Sequence, residues 1–145
     1  MTKTTTRFLL LALTIVLCLP LLAACNSGPS KETVEEYARD VLQALIKKET
    51  AALAALANPD YEGYFSETEM ESYYEQYTEW GVCNEGNAIG KLKLTSWQTG
   101  DYYGDRGSEA EYTVSIGGIL YSFEIVVVDN DEGIGLANFE LERIG

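Results

Sequence analysis

No histidine occurs anywhere in the 145 residues, and that absence removes whole classes of chemistry. Without an imidazole there is no Ser-His-Asp triad, no Cys-His pair and none of the usual zinc sites. Basic residues are scarce too: 10 Lys and Arg stand against 23 Asp and Glu, a net charge of −13. Nucleic acid and anionic headgroups would each add like-charge repulsion to such a surface, so no nucleic-acid partner is expected. Cysteine is limited to Cys18, Cys25 and Cys83, and proline to Pro20, Pro29 and Pro59. Long apolar runs are missing except for Phe8 to Leu22. That run is shorter than the roughly 20 residues that cross a bilayer as a helix, and Pro20 interrupts it.

What is present begins with the first 24 residues. Lys3 and Arg7 precede the apolar run with no acid among them, and small residues close it. A cationic start, a short apolar stretch and small residues before a break are the parts of an export signal. The closing Leu22-Ala23-Ala24-Cys25 resembles the lipobox of bacterial lipoproteins. The resemblance implies cleavage between Ala24 and Cys25, a diacylglyceryl group on the Cys25 sulfur, and attachment to the extracytoplasmic face of a cell membrane, a Gram-positive surface being expected. Two acyl chains suffice for stable anchoring, at about 0.8 kcal/mol per buried methylene.

Processing at Cys25 leaves 121 residues, with eight cations against 23 acids and a net charge of −15. The reading divides the chain into a signal over 1–24, a lipidated Cys and flexible tether over 25–31, and one domain over 32–145. Cys18 leaves with the signal and Cys25 carries lipid, so Cys83 stands alone and no internal disulfide forms. Such a length buries a core without one.

Helices come first. Ser30 caps a helix with Glu32, Glu35 and Glu36 in its opening turns, and Val34, Tyr37, Ala38, Val41 and Leu45 mark its buried stripe. Thr50 to Ala57 reads as a second short helix stopped by Asn58-Pro59. Asp60 to Phe65 reads as a loop or brief strand. Ser66 and Glu69 form a capping box for a third helix, whose Met70, Tyr73, Tyr77 and Trp80 share a face and which Gly81 closes.

From Lys91 the period changes to two. Strands are expected over Lys91 to Trp97, Glu109 to Ile116, Ile119 to Val128 and Ile134 to Arg143. Gly117-Gly118 is a two-residue hairpin turn, Asp129 to Gly133 a five-residue turn, and Thr99 to Ser108 a longer loop. Pairing across Gly117-Gly118 sets Val114 opposite Tyr121 and Tyr112 opposite Phe123. Leu92, Leu94, Ala110, Tyr112, Val114, Ile116, Ile119, Tyr121, Phe123, Ile125, Val127, Ala137, Phe139 and Leu141 then share the inner face. Glu109, Glu111, Glu124, Glu140 and Glu142 take the outer one. The fold class is α+β, with N-terminal helices packed on a curved antiparallel four-stranded meander.

This order of elements resembles the NTF2-like superfamily, the cystatin-like cone, and within it the small bacterial lipoproteins of unknown function. The match covers Glu32 to Ile144. Lys47 to Leu56 echoes a turn of that family, with Glu49-Thr50 where the family has Gly-Asp, and Ile134-Gly135-Leu136-Ala137-Asn138-Phe139 echoes its close. The resemblance implies a pocket between the helices and the concave sheet. Enzymes of the superfamily, such as the ketosteroid isomerases, place an acid there beside a Tyr donor. Here the inner face offers Tyr112, Tyr121 and Ser96 hydroxyls but no strand carboxylate, so an isomerase or hydrolase is the remote alternative and a non-catalytic module the expectation.

Ligand-binding residues are expected at Tyr61 and Tyr64, at the pocket mouth, and at Tyr112 and Tyr121 inside it. Trp97, Leu120, Val126 and Leu136 interrupt the charges of the outer face and form an apolar patch, the expected interface of a weak homodimer or an envelope partner protein. Asp129-Asn130-Asp131-Glu132-Gly133 has calcium-loop letters, but Ile134 stands where an EF-hand needs Gly, so the stretch reads as a turn and no metal or other cofactor is expected.

Overall fold

Ser30 opens the first helix as its sequence dictates: in the computed structural model, which describes residues 28–145, its hydroxyl accepts a hydrogen bond from Thr33 N at 3.2 Å. Helix α1 runs Lys31–Lys47 and buries Val34, Ala38, Val41, Leu42, Ala44, Leu45 and Ile46. Lys48 ends it in the left-handed region at φ 57°, its amide donating to Ala44 and Leu45 carbonyls. Helix α2 follows at Thr50–Leu56. Pro59 cannot continue it and holds Asn58 extended.

The segment expected as a loop or strand is a 3₁₀ helix, Pro59–Phe65. Its start has a clear cause, because Pro59 presets φ and the Asn58 side chain accepts from Asp60 N at 3.1 Å. Helix α3 spans Glu67–Glu79, and the hydroxyl half of the capping box is formed, Glu69 N donating to Ser66 Oγ. Gly81 follows with φ 78°. No helix among the described residues is long and apolar enough to cross a membrane.

Strands β1 (Lys93–Tyr102), β2 (Asp105–Ile116), β3 (Ile119–Asn130) and β4 (Gly133–Arg143) form one antiparallel sheet in the order β1-β2-β3-β4. Val114 pairs with Tyr121 and Tyr112 with Phe123. The expected long loop from Thr99 to Ser108 is absent. Its residues pair from Thr99–Ser108 through Tyr102–Asp105, leaving a two-residue turn at Tyr103-Gly104 with φ 56° and 97°. A bulky residue in the left-handed region gives no turn signature in sequence. The five-residue turn likewise tightens to Asp131-Glu132 between the paired Asn130 and Gly133.

Two irregularities change which face residues occupy. Register shifts between Leu94 and Ser96 in β1, and between Val126 and Val127 where β4 holds the additional residue Ala137. An extra residue inverts the in-out alternation beyond it.

Helix α1 covers the inner face of β2 and β3. Leu42, Leu45, Tyr121, Phe123 and Ile125 are fully buried there, so the space between α1 and the sheet is filled with side chains. Tyr37 Oη donates to Ile134 O at 3.0 Å, tying α1 to the start of β4. Tyr121 Oη donates to Trp80 O at 3.1 Å, tying β3 to the end of α3. Part of the expected tether is packed on the sheet: Pro29 is buried, and Ser108 Oγ donates to its carbonyl at 2.6 Å. Gly28 lies so close to β2 that a Cβ there would meet Gly107 O at 2.5 Å. Residues 28 and 29 therefore belong to the packed domain, while Ala24 and Cys25, and with them the expected cleavage and lipid sites, lie outside the described residues.

Candidate functional site: an aromatic cleft beside a buried asparagine

Asn58 connects the end of α2 to the tip of the β3–β4 hairpin. It is fully buried, and its Nδ2 donates to Asn130 Oδ1 at 2.9 Å and to Gly133 O at 2.8 Å. Its own amide donates to Leu136 O at 2.9 Å, where Ala57 makes a parallel bridge to the edge of β4. Asn130 Nδ2 in turn reaches Asp60 Oδ2 and Asp105 Oδ2, each at 3.0 Å. Asp105 also accepts from Tyr61 Oη at 2.8 Å. This network fixes the 3₁₀ helix against the sheet and aims its aromatic side.

Beyond it lies a cleft of about 260 Å³ between the 3₁₀ helix, α3, the β1–β2 turn and β4. The 3₁₀ helix supplies Tyr61, Tyr64 and Phe65, and α3 supplies Glu69, Met70 and Tyr73. Tyr103 enters from the turn, and Ala137, Asn138 and Phe139 form the strand wall. Two groups of rings result. Tyr61 lies 6.5 Å from Tyr64 and 5.9 Å from Tyr103 between centroids. Phe139 lies 5.9 Å from Phe65 and 6.1 Å from Tyr73.

Polar groups are few in this cleft. Burial, reinforced by the hydrogen bond to Asp105, pushes the Tyr61 phenol up to about 12, so it stays a neutral donor. Glu69 is exposed on the cleft's rim, and among the described lining residues none is Lys or Arg. The site is an apolar, aromatic recess with one carboxylate at its edge.

Of the four residues expected to meet a ligand, Tyr61 and Tyr64 line this cleft. Tyr112 and Tyr121 do not. Both are buried under the helices, with burial pushing the Tyr112 phenol up to about 12. Their placement in a pocket is corrected by the filling of the space between α1 and the sheet, and the recess lies to one side of it. Sequence reasoning missed Glu69 as a lining residue because it reads as a helix cap. It also assigned Tyr73 to the core, although Tyr73 is 39% exposed at the cleft.

The outer-face patch is corrected as well. Trp97 pairs with Ala110 after the β1 irregularity, which puts it on the inner side, and Lys31 Nζ stands 5.5 Å from its ring centroid. Leu136 pairs with Val127 and is fully buried. Val126 stays on the outer face but is 3% exposed. Leu120, 47% exposed, is the member that keeps the expected surface position. The calcium-like letters lie at the β3–β4 turn, where Asn130 Oδ1 accepts from Glu132 N at 3.0 Å, an ordinary Asx turn.

These features define an α+β protein whose helices pack on an open four-stranded antiparallel sheet and leave an aromatic cleft at one side. Comparison with protein-family models, with curated proteins and with solved structures finds no match to the chain.

Proposed function

We propose that the chain is a non-catalytic, membrane-anchored lipoprotein of the NTF2-like, cystatin-like cone class, exposed on the extracytoplasmic side through a lipid on Cys25. Its domain binds a small apolar or aromatic ligand in the cleft beside β4. The observation that carries the binding reading is the cleft itself: about 260 Å³ walled by Tyr61, Tyr64, Phe65, Tyr73, Tyr103 and Phe139. Ligand sites combine such apolar walls with a few placed polar groups, and drug-sized ones span roughly 300–1,000 Å³, so a small occupant fits this one. The anchor rests on Leu22-Ala23-Ala24-Cys25 following a short apolar run. The alternative, a docking face for an envelope partner on the outer sheet surface, has less in its favour because Val126 and Leu136 are buried.

Intact mass of the protein extracted from membranes, with and without Cys25→Ala, tests the anchor. A processed species carrying a diacylglyceryl group, lost in the variant, is expected; an unmodified full-length mass would overturn it. Ligand binding is tested by ligand-observed NMR with a panel of small aromatic and aliphatic compounds. Hits weakened by Tyr64→Ala are expected, and a panel without hits would overturn the binding reading.

A further inference from the structure

We infer that the cleft selects a small organic cation, a trimethylammonium group or one of its shape, held by the tyrosine faces and the Glu69 carboxylate. This rests on the reading of the cleft as a ligand site and names its ligand class. Ring faces carry negative electrostatic potential, and clusters of them recognise quaternary ammonium groups. Here Tyr61, Tyr64 and Tyr103 make one cluster and Tyr73 and Phe139 a second across the same recess.

Charge decides between classes of occupant. Glu69 is the charged residue of the lining, Asp105 accepts from the Tyr61 hydroxyl at 2.8 Å, and the chain carries a net charge of −13. An anionic ligand would meet repulsion from all three and no lysine or arginine among the described lining residues. A neutral aromatic would gain stacking but leave the Glu69 charge unused. A cation gains both, and its desolvation is eased because a quaternary ammonium has no N–H to leave unpaired. The volume of about 260 Å³ suits a headgroup rather than a large amphiphile.

The test is isothermal titration of the purified protein with choline and with its neutral isostere 3,3-dimethylbutan-1-ol. Choline is expected to bind about tenfold more tightly than the alcohol. Glu69→Gln, which keeps a residue competent to cap α3, is expected to weaken choline several-fold while leaving the alcohol unchanged. Tyr64→Ala, at a residue 67% exposed and outside the buried core, should weaken both. Co-sedimentation with phosphatidylcholine vesicles, competed by choline, would put the group on a lipid; choline binding without vesicle binding would put it on a free solute. Equal affinity for choline and the alcohol would overturn the cation inference and leave the ligand site standing. Binding of neither, together with an empty NMR panel, would overturn both.

Discussion

Leu136 stands opposite Val127 on the inner face of the sheet, where both are fully buried. Simple alternation along β4 places Leu136 on the outer face instead; Ala137 is the extra residue that turns it inward. Leu136→Ala is therefore expected to destabilise the domain by about 2–5 kcal/mol, as a large-to-small change in a core. Leu120→Ala, on the exposed outer face, should stay within about 0.5 kcal/mol of the parent. Urea unfolding of the two variants side by side checks the placement, and similar values for both would contradict it.

Asn58 holds three elements with one side chain, so its loss is expected to be costly. Asn58→Ala removes the donors to Asn130 Oδ1 and Gly133 O, and Asn130 Oδ1 keeps only the Glu132 amide. A destabilisation of about 1–3 kcal/mol follows from losing these hydrogen bonds and emptying the space of a fully buried side chain. The same variant should loosen the 3₁₀ helix, seen as faster amide exchange at Asp60 and Tyr61. Unchanged stability would mean that the network bears no load.

The outer face sets Glu111 opposite Glu124 and Glu124 opposite Glu140 across three strands. Burial, and then the charges of Glu109, Glu140 and Glu111, raise the Glu124 carboxyl above the ordinary 4.5. An acid with a raised folded pKa binds its proton more tightly in the folded state, so stability is greatest below the unfolded value and falls as pH rises through the folded one. Glu124→Gln should raise Tm at neutral pH by about 1–3 °C, in line with relief of cross-strand repulsion, and flatten the decline just above pH 4.5. Thermal melts between pH 4 and pH 7, in steps of about half a unit, test both the size and the sign.

Gly107 lies under the Tyr102 ring on the outer side of β2. A Cβ there would stand 2.8 Å from Tyr102 Cδ2 and 2.9 Å from Val127 O. The ring can move but the carbonyl belongs to a paired strand, so Gly107→Ala is expected to cost about 1–3 kcal/mol. Its cross-strand partner Gly100 has its nearest neighbour, Tyr102 Cε2, at 4.0 Å, and Gly100→Ala should be close to neutral or stabilising. Chemical denaturation of each variant separates the two.

Much of this architecture was legible in the chain. The Ser30 and Ser66 caps, the stop at Asn58-Pro59 and the Gly117-Gly118 turn are local signals, each satisfied within three or four residues of its origin. The register of β2 against β3 followed from one tight turn and the period of two. Two of the cleft's ten lining residues were legible for the same reason: Tyr61 and Tyr64 lie on a short segment too aromatic for an ordinary loop. Other features had no local mark. Tyr103 occupies a turn position that its side chain disfavours, and the hairpin around it is held by pairing from Tyr102–Asp105 to Lys93–Thr113.

Composition and local pattern by themselves determined the element order, the acidic outer face, the antiparallel meander and the absence of imidazole chemistry, because each depends on residues near one another in sequence. Tertiary structure decided which tyrosines face space and which fill the core. It also decided where Trp97 and Leu136 turn. Those outcomes depend on bulges and on helices arriving from elsewhere in the chain, and a single inserted residue reverses every alternation that follows it. Glu69 and Phe139, 70 residues apart in the chain, meet at one cleft because α3 packs its Tyr73 against Phe139 of β4.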